Sequence, residues 1–217
     1  MDTDALIAKL SAELKPVQRA SALGLTLRWC VCAIAVAGAA ALAAGTRPDL
    51  AARLADPRYD IETAAGALVA ICASYSGFKL SLPGSKPAWI WLSIAAVALW
   101  LGVLIRGAYL DAQAHAPSTI ELALPCLVMI LGESIPLNFI FLAMARHAAR
   151  FRPVMVASLG GLASAAAGSA GDTLCHGFDV AVLLLIWHAG PVFLATLLWG
   201  LAARPLFSLV GRQAAAA

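Results

Sequence analysis

The sequence consists of six long apolar runs separated by short polar segments. About 20 apolar residues in a helix cross a bilayer, and none of these runs shows the period-two alternation expected of barrel strands. The pattern therefore predicts an all-α polytopic membrane protein, a six-transmembrane-helix bundle. The predicted spans are Leu25 to Ala44, Ala64 to Leu82, Trp89 to Ile105, Ile120 to Ala143, Val154 to Ala170 and Val180 to Ala202.

Composition narrows the classes of function. Hydrophobic residues make up 62% of the 217 residues and charged residues only 12%, far from the balance of a soluble domain. The net charge of +3 is too small to predict direct nucleic-acid binding. The chain contains no P-loop, no H-E-x-x-H and no G-x-S-x-G motif. We therefore expect membrane lipid around the chain, and no enzyme activity, cofactor or small-molecule substrate.

The distribution of Lys and Arg predicts the orientation of the spans. Six spans place both termini on one side, and eleven of the 15 basic residues fall on that side. The positive-inside rule makes this side cytoplasmic, which predicts a multi-pass protein of an inner (cytoplasmic) membrane. The basic residues expected on the other side are Arg47, Arg53, Arg58 and Arg106. The chain then divides into a cytoplasmic segment at 1–24, a transmembrane domain at 25–203 and a cytoplasmic tail at 204–217.

Five tryptophans lie near the predicted span ends. They are Trp29, Trp89, Trp91, Trp100 and Trp199. Amphipathic rings prefer the lipid headgroup zone, so their positions predict an interfacial belt with no role in a site.

The segment before the first span predicts a short amphipathic helix. Thr3 can cap its start and Pro16 ends it, and four apolar residues recur at helical spacing along one face. These are Leu6, Ile7, Leu10 and Leu14. One interpretation places this stripe on the inner leaflet or beneath the bundle. The other makes it a helix that docks in a groove of a soluble protein, and the acidic Asp2, Asp4 and Glu13 argue against simple anchoring.

Polar residues interrupt the fourth and sixth predicted spans. Glu133 lies between Pro125 and Pro136, about 20 Å from the outer end of its helix at about 1.5 Å per residue. An ionisable group at that depth needs a partner, and His188 of the sixth span is the candidate. Such an intramembrane polar pair predicts either a structural hydrogen bond or a proton or ion relay, the latter in a small transporter built on Glu133, Asn138 and His188.

The fifth predicted span has small residues at regular spacing. Gly160, Ser164 and Gly168 repeat every four residues, with Gly161 and Ala165 beside them. This pattern predicts that a neighbouring helix approaches closely, and it requires no catalytic role.

Two of the five cysteines belong to the outer half of the membrane. Cys126 directly follows Pro125, and Cys175 lies in the last outer loop, where the oxidising environment permits a disulfide. Three interpretations stay open. The sulfurs form a disulfide, which requires Cα atoms within about 7 Å; they bind a soft metal or an oxidant, with His176 as a possible metal ligand; or they are unrelated buried thiols.

Several short motifs occur in a characteristic order. The amino-terminal stretch reads TDALIAKLSAELKPV and ends at Val17. Further along come the Pro125–Cys126 pair, Pro136, the run GGLASAAAG from Gly160, and the Leu174–Cys175 pair. Together they resemble the NrsF family of six-span membrane anti-sigma factors, whose opening pattern is T-x-x-L-I-x-x-L-x-x-x-L-x-P-V. The resemblance covers nearly the whole chain and rests on the order of the motifs.

The resemblance implies a bacterial membrane anti-sigma factor. An extracytoplasmic-function sigma factor would be held by the segment 1–24, and 25–203 would be the sensor domain. Cys126 and Cys175 would respond to heavy metals or to oxidants such as chromate. The implied partner-binding residues are Leu6, Ile7, Leu10, Leu14 and Val17. Relatives carry a C-P-E-D-like run at the second cysteine, whereas here His176, Gly177 and Phe178 follow it, which leaves His176 as a possible metal ligand.

Overall fold

The computed structural model describes residues 3–12, 21–114, 124–145, 152–175 and 181–213. These parts of the chain are helical and contain no β-strand, which confirms the all-α class. A 3₁₀ turn at Pro87–Trp89 leads into α5, and a π-helical turn at Leu185–Ala189 joins α8 to α9. The helices are α1 Thr3–Ala12, α2 Ala22–Ala44, α3 Leu50–Arg53, α4 Pro57–Ser81, α5 Ile90–Gln113, α6 Leu124–Ala145, α7 Pro153–Asp172, α8 Ala181–Leu184 and α9 Gly190–Gln213.

Six helical segments are long and apolar enough to cross a membrane, as the pattern predicts. They are α2, α4, α5 with its 3₁₀ turn, α6, α7 and the segment Val182–Phe207. The shortest has 20 residues, which is about 30 Å of helix and matches the hydrocarbon core of a bilayer.

Two of these spans extend about two turns beyond the predicted apolar runs at the same end of the bundle. Helix α4 begins seven residues before Ala64, and α5 continues eight residues beyond Ile105. An ion pair joins the added turns of the two helices, since Arg58 donates to both carboxylate oxygens of Asp111 at 2.6 and 2.9 Å. Hydropathy alone cannot detect such helix extensions, because polar side chains that pair across two helices stabilise them.

Polar contacts join the helices at one end of the bundle, where α2 and α7 end and α4 begins; we call it the distal end. The Arg47 backbone N–H donates to the Leu174 carbonyl at 3.0 Å, and the Tyr59 hydroxyl donates to the Thr173 carbonyl at 3.1 Å. Arg47 also holds both carboxylate oxygens of Asp49, and these hydrogen bonds lower the pKa of Asp49 to about 2. The distal end is therefore fixed by hydrogen bonds and ion pairs as well as by packing.

Helix α7 lies at the centre of the bundle. It is the most buried of the six spans and packs against α2, α4, α6 and α9. A Cβ added to Gly160 would lie 2.5 Å from Cδ1 of Phe141 on α6, and one added to Gly161 would lie 2.8 Å from Cδ1 of Trp199 on α9. The predicted close approach of neighbouring helices to this small-residue face is thus confirmed.

Two tryptophans do not belong to an interfacial belt, so that prediction is wrong for them. Trp29 and Trp100 are only 1% and 3% exposed and lie inside the bundle. The Trp29 ring packs edge-on against Phe141, with 6.4 Å between ring centroids. Trp100 fills the space left by Gly66, whose added Cβ would lie 3.5 Å from its Nε1. Nearness to a span end indicates depth in the membrane, but not which face of the helix carries the ring.

Candidate functional site

Three chemically active side chains meet inside the distal end. Ligand atoms of Cys126, Asp172 and His188 all lie within 4.8 Å of one another. The three residues are 2%, 1% and 3% exposed, so the cluster is shielded from bulk solvent. Within the described parts of the chain, no other group of three cysteine, histidine or acidic side chains converges in this way.

Each member of this cluster comes from a different element. Cys126 lies near the start of α6, Asp172 is the last residue of α7, and His188 lies in the π-helical turn before α9. Pro191 gives a physical reason for that turn, because it has no N–H to donate to the Trp187 carbonyl. A π-helical turn accommodates such a missing bond and is frequent at functional sites.

Two side chains of α7 hold the His188 ring. The Ser169 hydroxyl lies 2.9 Å from Nδ1 of His188, and Oδ2 of Asp172 lies 3.8 Å from its Nε2. A neutral imidazole donates from one nitrogen and accepts at the other. When Nδ1–H donates to Ser169, the Nε2 lone pair therefore faces Asp172.

A cavity at the distal end is lined in part by one member of this cluster, His188. It has a volume of about 80 Å³ and reaches His188 and Ser169 at its inner wall. Toward the distal end it is lined by Tyr59, Glu62 and Arg47, among others. The buried imidazole thus has a polar approach from the end of the bundle where the charged residues lie.

Cys175 lies in the turn after α7. Its backbone N–H donates to the Asp172 carbonyl at 2.9 Å, and its half-buried side chain is a free thiol. Burial raises the pKa of the Cys175 thiol, and the charges of Asp172 and Glu133 raise it further. This shift lowers the reactivity of the Cys175 thiol, because the thiolate is the reactive form. Cys126 and Cys175 lie at the same end of the bundle; their joint role stays a prediction, and His176 lies outside the described residues.

Glu133 faces α7 from the interior of the bundle. Its Oε2 lies 3.5 and 3.7 Å from the positions where Cβ atoms on Gly168 and Gly171 would stand. Glu133 is 8% exposed, and this oxygen has no hydrogen-bond partner among the described residues. Glu133 and His188 are therefore both placed against α7, and their direct pairing stays a prediction.

The predicted partner-binding residues fall in and after α1. Leu6, Ile7 and Leu10 lie in this helix, and the Ile7 side chain is 58% exposed. Helix α1 makes no extensive contact with any other described helix. Leu14 and Val17 lie outside the described residues.

A hydrogen bond joins α6 to α2, the span that follows the amino-terminal segment. The indole Nε1 of Trp29 donates to the Leu137 carbonyl at 3.3 Å. Leu137 follows Cys126 by eleven residues, which is about 16 Å along the helix. Helix α6 therefore extends from the cysteine at the distal end to a direct contact near the start of α2.

Sequence reasoning missed Asp172 and Ser169 as parts of the site. The apolar run ends at Ala170, so the hydropathy pattern places Asp172 just outside the span, where acidic residues are ordinary. Helix α7 continues to Asp172, which is 1% exposed. Ser169 precedes it by three residues, a spacing that places both side chains on one helix face. That spacing is the signal that could have identified them.

The fold and the site together define a polytopic helical membrane protein with a buried thiol, carboxylate and imidazole at one end of its bundle. The chain belongs to the NrsF family, described as negative regulator of sigma F, and matches it over residues 10–208. The protein is thus a member of a family of sigma-factor regulators, which is not an enzyme class. Neither a curated protein nor a solved structure is significantly similar to it. Leu6 and Ile7 precede the matched region, whereas Leu10 is its first residue.

Proposed function

We propose that the chain is an anti-sigma factor of a bacterial inner membrane. It sequesters an extracytoplasmic-function sigma factor through its cytoplasmic amino-terminal segment. It releases this partner on heavy-metal or oxidative stress, which Cys126 and Cys175 sense on the extracytoplasmic side. The observation that carries the proposal is the family membership over residues 10–208.

The state of α1 supports its role as the partner-binding element. An isolated helix of ten residues is marginal in water, so α1 gains order from a surface that it can bind. The exposed Ile7 and the lack of extensive packing against the spans leave this helix accessible to a soluble protein. An apolar helix face that docks in a groove is a common mode of such recognition.

The position of the cysteines supports a role at the opposite membrane face. Helix α2 has 23 residues, or about 34 Å of helix between the amino-terminal segment and the distal end. The contact between Arg47 and Leu174 places the end of α7, and with it Cys175, beside the end of α2. Sensing and partner binding are then separated by the thickness of the membrane.

The stimulus must act by favouring one arrangement of the helices over another. A metal or an oxidant shifts this equilibrium only by as much as it stabilises one state more than the other. In the oxidative route Cys126 and Cys175 form a disulfide, and two electrons pass to the oxidant while two protons are released. A coupling of about 1–3 kcal/mol changes partner affinity roughly 5- to 150-fold. The contact of Trp29 with Leu137 gives α6 a direct way to move α2.

The sensing role is tested with serine variants of the cysteines. The full chain is produced in membranes with its sigma factor, and the retained sigma factor is measured before and after Cd²⁺ or chromate. We expect Cys126→Ser to retain the partner with either stimulus and Cys175→Ser to retain it with chromate, while the wild type releases it. Cys72→Ser, which removes a half-buried thiol within α4, is the matched control and should respond like the wild type. Unimpaired release from both single variants would overturn the assignment.

A small proton- or ion-coupled transporter is the second candidate. The observation that favours it is the buried Glu133, whose Oε2 has no hydrogen-bond partner among the described residues. Asn138 on the same helix is fully buried as well. A transporter predicts that proteoliposomes take up or leak protons, and that Glu133→Gln abolishes the flux while His188→Gln reduces it. The anti-sigma proposal predicts no flux in either case and unchanged sigma-factor capture by Glu133→Gln.

A further inference from the structure

We propose that Cys126, Asp172 and His188 form a binding site for a divalent metal ion of borderline to soft character, such as Zn²⁺ or Cd²⁺. The consequence for partner release rests on the proposed function, whereas the site itself rests on geometry. Asp172 and His188 then replace the second cysteine as the partners of Cys126 in metal binding.

The spacing of the three side chains fits such an ion. In a tetrahedral site with metal–ligand bonds of about 2.0–2.3 Å, the ligand atoms are about 3.4–3.6 Å apart. Nε2 of His188 and Oδ2 of Asp172 are already 3.8 Å apart, and all three ligand atoms lie within 4.8 Å. Small side-chain rotations therefore suffice to bring the three atoms around one ion.

The chemistry of the ligands selects the class of metal. A thiolate prefers soft ions, an imidazole suits Zn²⁺ and its neighbours, and a carboxylate is accepted by both groups. Binding removes the proton from Cys126, so a thiolate and a carboxylate together carry two negative charges. A divalent ion neutralises both charges, which matters because the cluster is almost fully buried.

The surroundings of His188 supply the remaining parts of a metal site. Metal-bound histidines usually donate their other ring N–H to an oxygen, which fixes the ring and its tautomer. The Ser169 hydroxyl, 2.9 Å from Nδ1, is such an acceptor and leaves Nε2 for the ion. The cavity that His188 and Ser169 line lies beside the proposed site.

Three protein ligands leave one coordination position open. Sites with three ligands and an open fourth position accept water or an exchangeable group, in contrast to closed structural sites. An ion held here joins α6, α7 and the π-helical turn at one point. No disulfide ties α6 to the other two elements, since Cys126 is a free thiol, so the ion would favour one position of α6 relative to α7 and the turn.

The test uses the full-length, reduced protein in detergent, with Co²⁺ as the spectroscopic probe and Zn²⁺ as the competitor. We expect one Co²⁺ per chain, a thiolate-to-cobalt charge-transfer band, and loss of that band when Zn²⁺ is added. Cys126→Ser should abolish the band. Asp172→Asn and His188→Gln should each weaken binding at least about tenfold, and Ser169→Ala should keep the band with affinity lowered about tenfold.

Two controls separate this site from the other thiols. Cys72→Ser and Cys175→Ser should bind Co²⁺ as tightly as the wild type and with the same band. The proposal is overturned if the wild type shows no thiolate band, if the band survives Cys126→Ser, or if Cys175→Ser weakens binding as much as His188→Gln. Gel-filtration profiles and thermal unfolding identify variants that fail to fold. If the ligand variants fail to fold, the test is decided by Ser169→Ala, which should keep the band and bind Co²⁺ about tenfold more weakly.

The outcome also separates this inference from the proposed function. Absent Co²⁺ binding together with Cd²⁺-triggered release of the sigma factor would overturn the metal site and leave the anti-sigma role standing. Tight binding without any effect on a captured sigma factor would leave the site standing and overturn metal-triggered release.

Discussion

Helices α7 and α1 differ in how far the pattern of their sequence is matched by packing against other helices of the chain. Helix α7 is the most buried span and touches four other helices, and its small residues permit this because they let neighbouring backbones approach. Helix α1 has an apolar stripe in its sequence, yet its Ile7 side chain is 58% exposed and its contacts with other described helices are few.

This difference shows that contacts within the chain determine the position of α7 but not that of α1. The position of α7 is determined by residues of the same molecule, such as Phe141 and Trp199 against Gly160 and Gly161. Helix α1 makes no extensive contact with another described helix, so we expect its order to depend on an external surface. Substitutions in α7 should therefore change stability, whereas substitutions in α1 should change partner binding.

The largest effect is expected from Leu10→Asp in α1. The substitution puts a charge on the stripe that we propose as the docking face for the sigma factor, and burying an unpaired charge costs several kcal/mol. We expect capture of the sigma factor by the membrane-embedded chain to fall by at least about 100-fold. Co-purification from membranes measures this, with the amount of inserted chain as the reference.

Ala12→Asp is the matched control for that experiment. Ala12 is exposed, and two residues of helix place it on the face opposite to Leu10. The control adds the same charge to α1 and should keep most of the capture. Equal loss in both variants would contradict an apolar docking face and point to a purely electrostatic contact.

A smaller effect is expected from Gly160→Ala in α7. Its new Cβ would meet Asn138 Oδ1 and lie 2.5 Å from Phe141 Cδ1, so both side chains must move. Overpacking of this kind costs about 1–3 kcal/mol. Thermal unfolding in detergent should show a clearly lower midpoint than the wild type. Gly132→Ala in α6, where a Cβ meets nothing within 4 Å, should unfold like the wild type.

The smallest effect on sigma-factor capture is expected from Trp29→Phe. The variant loses the hydrogen bond to the Leu137 carbonyl, which is worth about 1 kcal/mol. Because this bond joins α2 to α6, we also expect weaker Cd²⁺-triggered release while sigma-factor capture is retained. Trp91→Phe is the control, since that ring is 67% exposed. Unchanged release in Trp29→Phe would exclude this contact from the signalling route.

Much of the fold follows from hydropathy alone. The apolar runs predict six helices of membrane length. Small residues at every fourth position predict the close packing around Gly160 and Gly168. The ends of α4 and α5 do not follow from it, because Arg58 and Asp111 stabilise helix beyond the apolar runs. A hydropathy pattern assigns such charged residues to loops, although Arg58 and Asp111 pair with each other within helices.

The candidate site could be predicted only in part. Cys126 and His188 stand out in a sequence because polar or reactive groups are rare within apolar runs. Their common neighbour Asp172 does not, since it lies at a helix end where acidic residues are ordinary. The burial of Trp29 is equally invisible, because an indole near a span end suits either lipid headgroups or the bundle interior.

The central claim is that the cysteine-bearing distal end and the amino-terminal helix lie on opposite faces of the membrane. A membrane-impermeant maleimide applied to spheroplasts tests it directly, with Ser11→Cys and Ala52→Cys as labelling sites and the parent chain as background; both residues are exposed. The account predicts that Ala52→Cys is labelled in intact spheroplasts and Ser11→Cys only after permeabilisation. Labelling of both positions from the same side would contradict it.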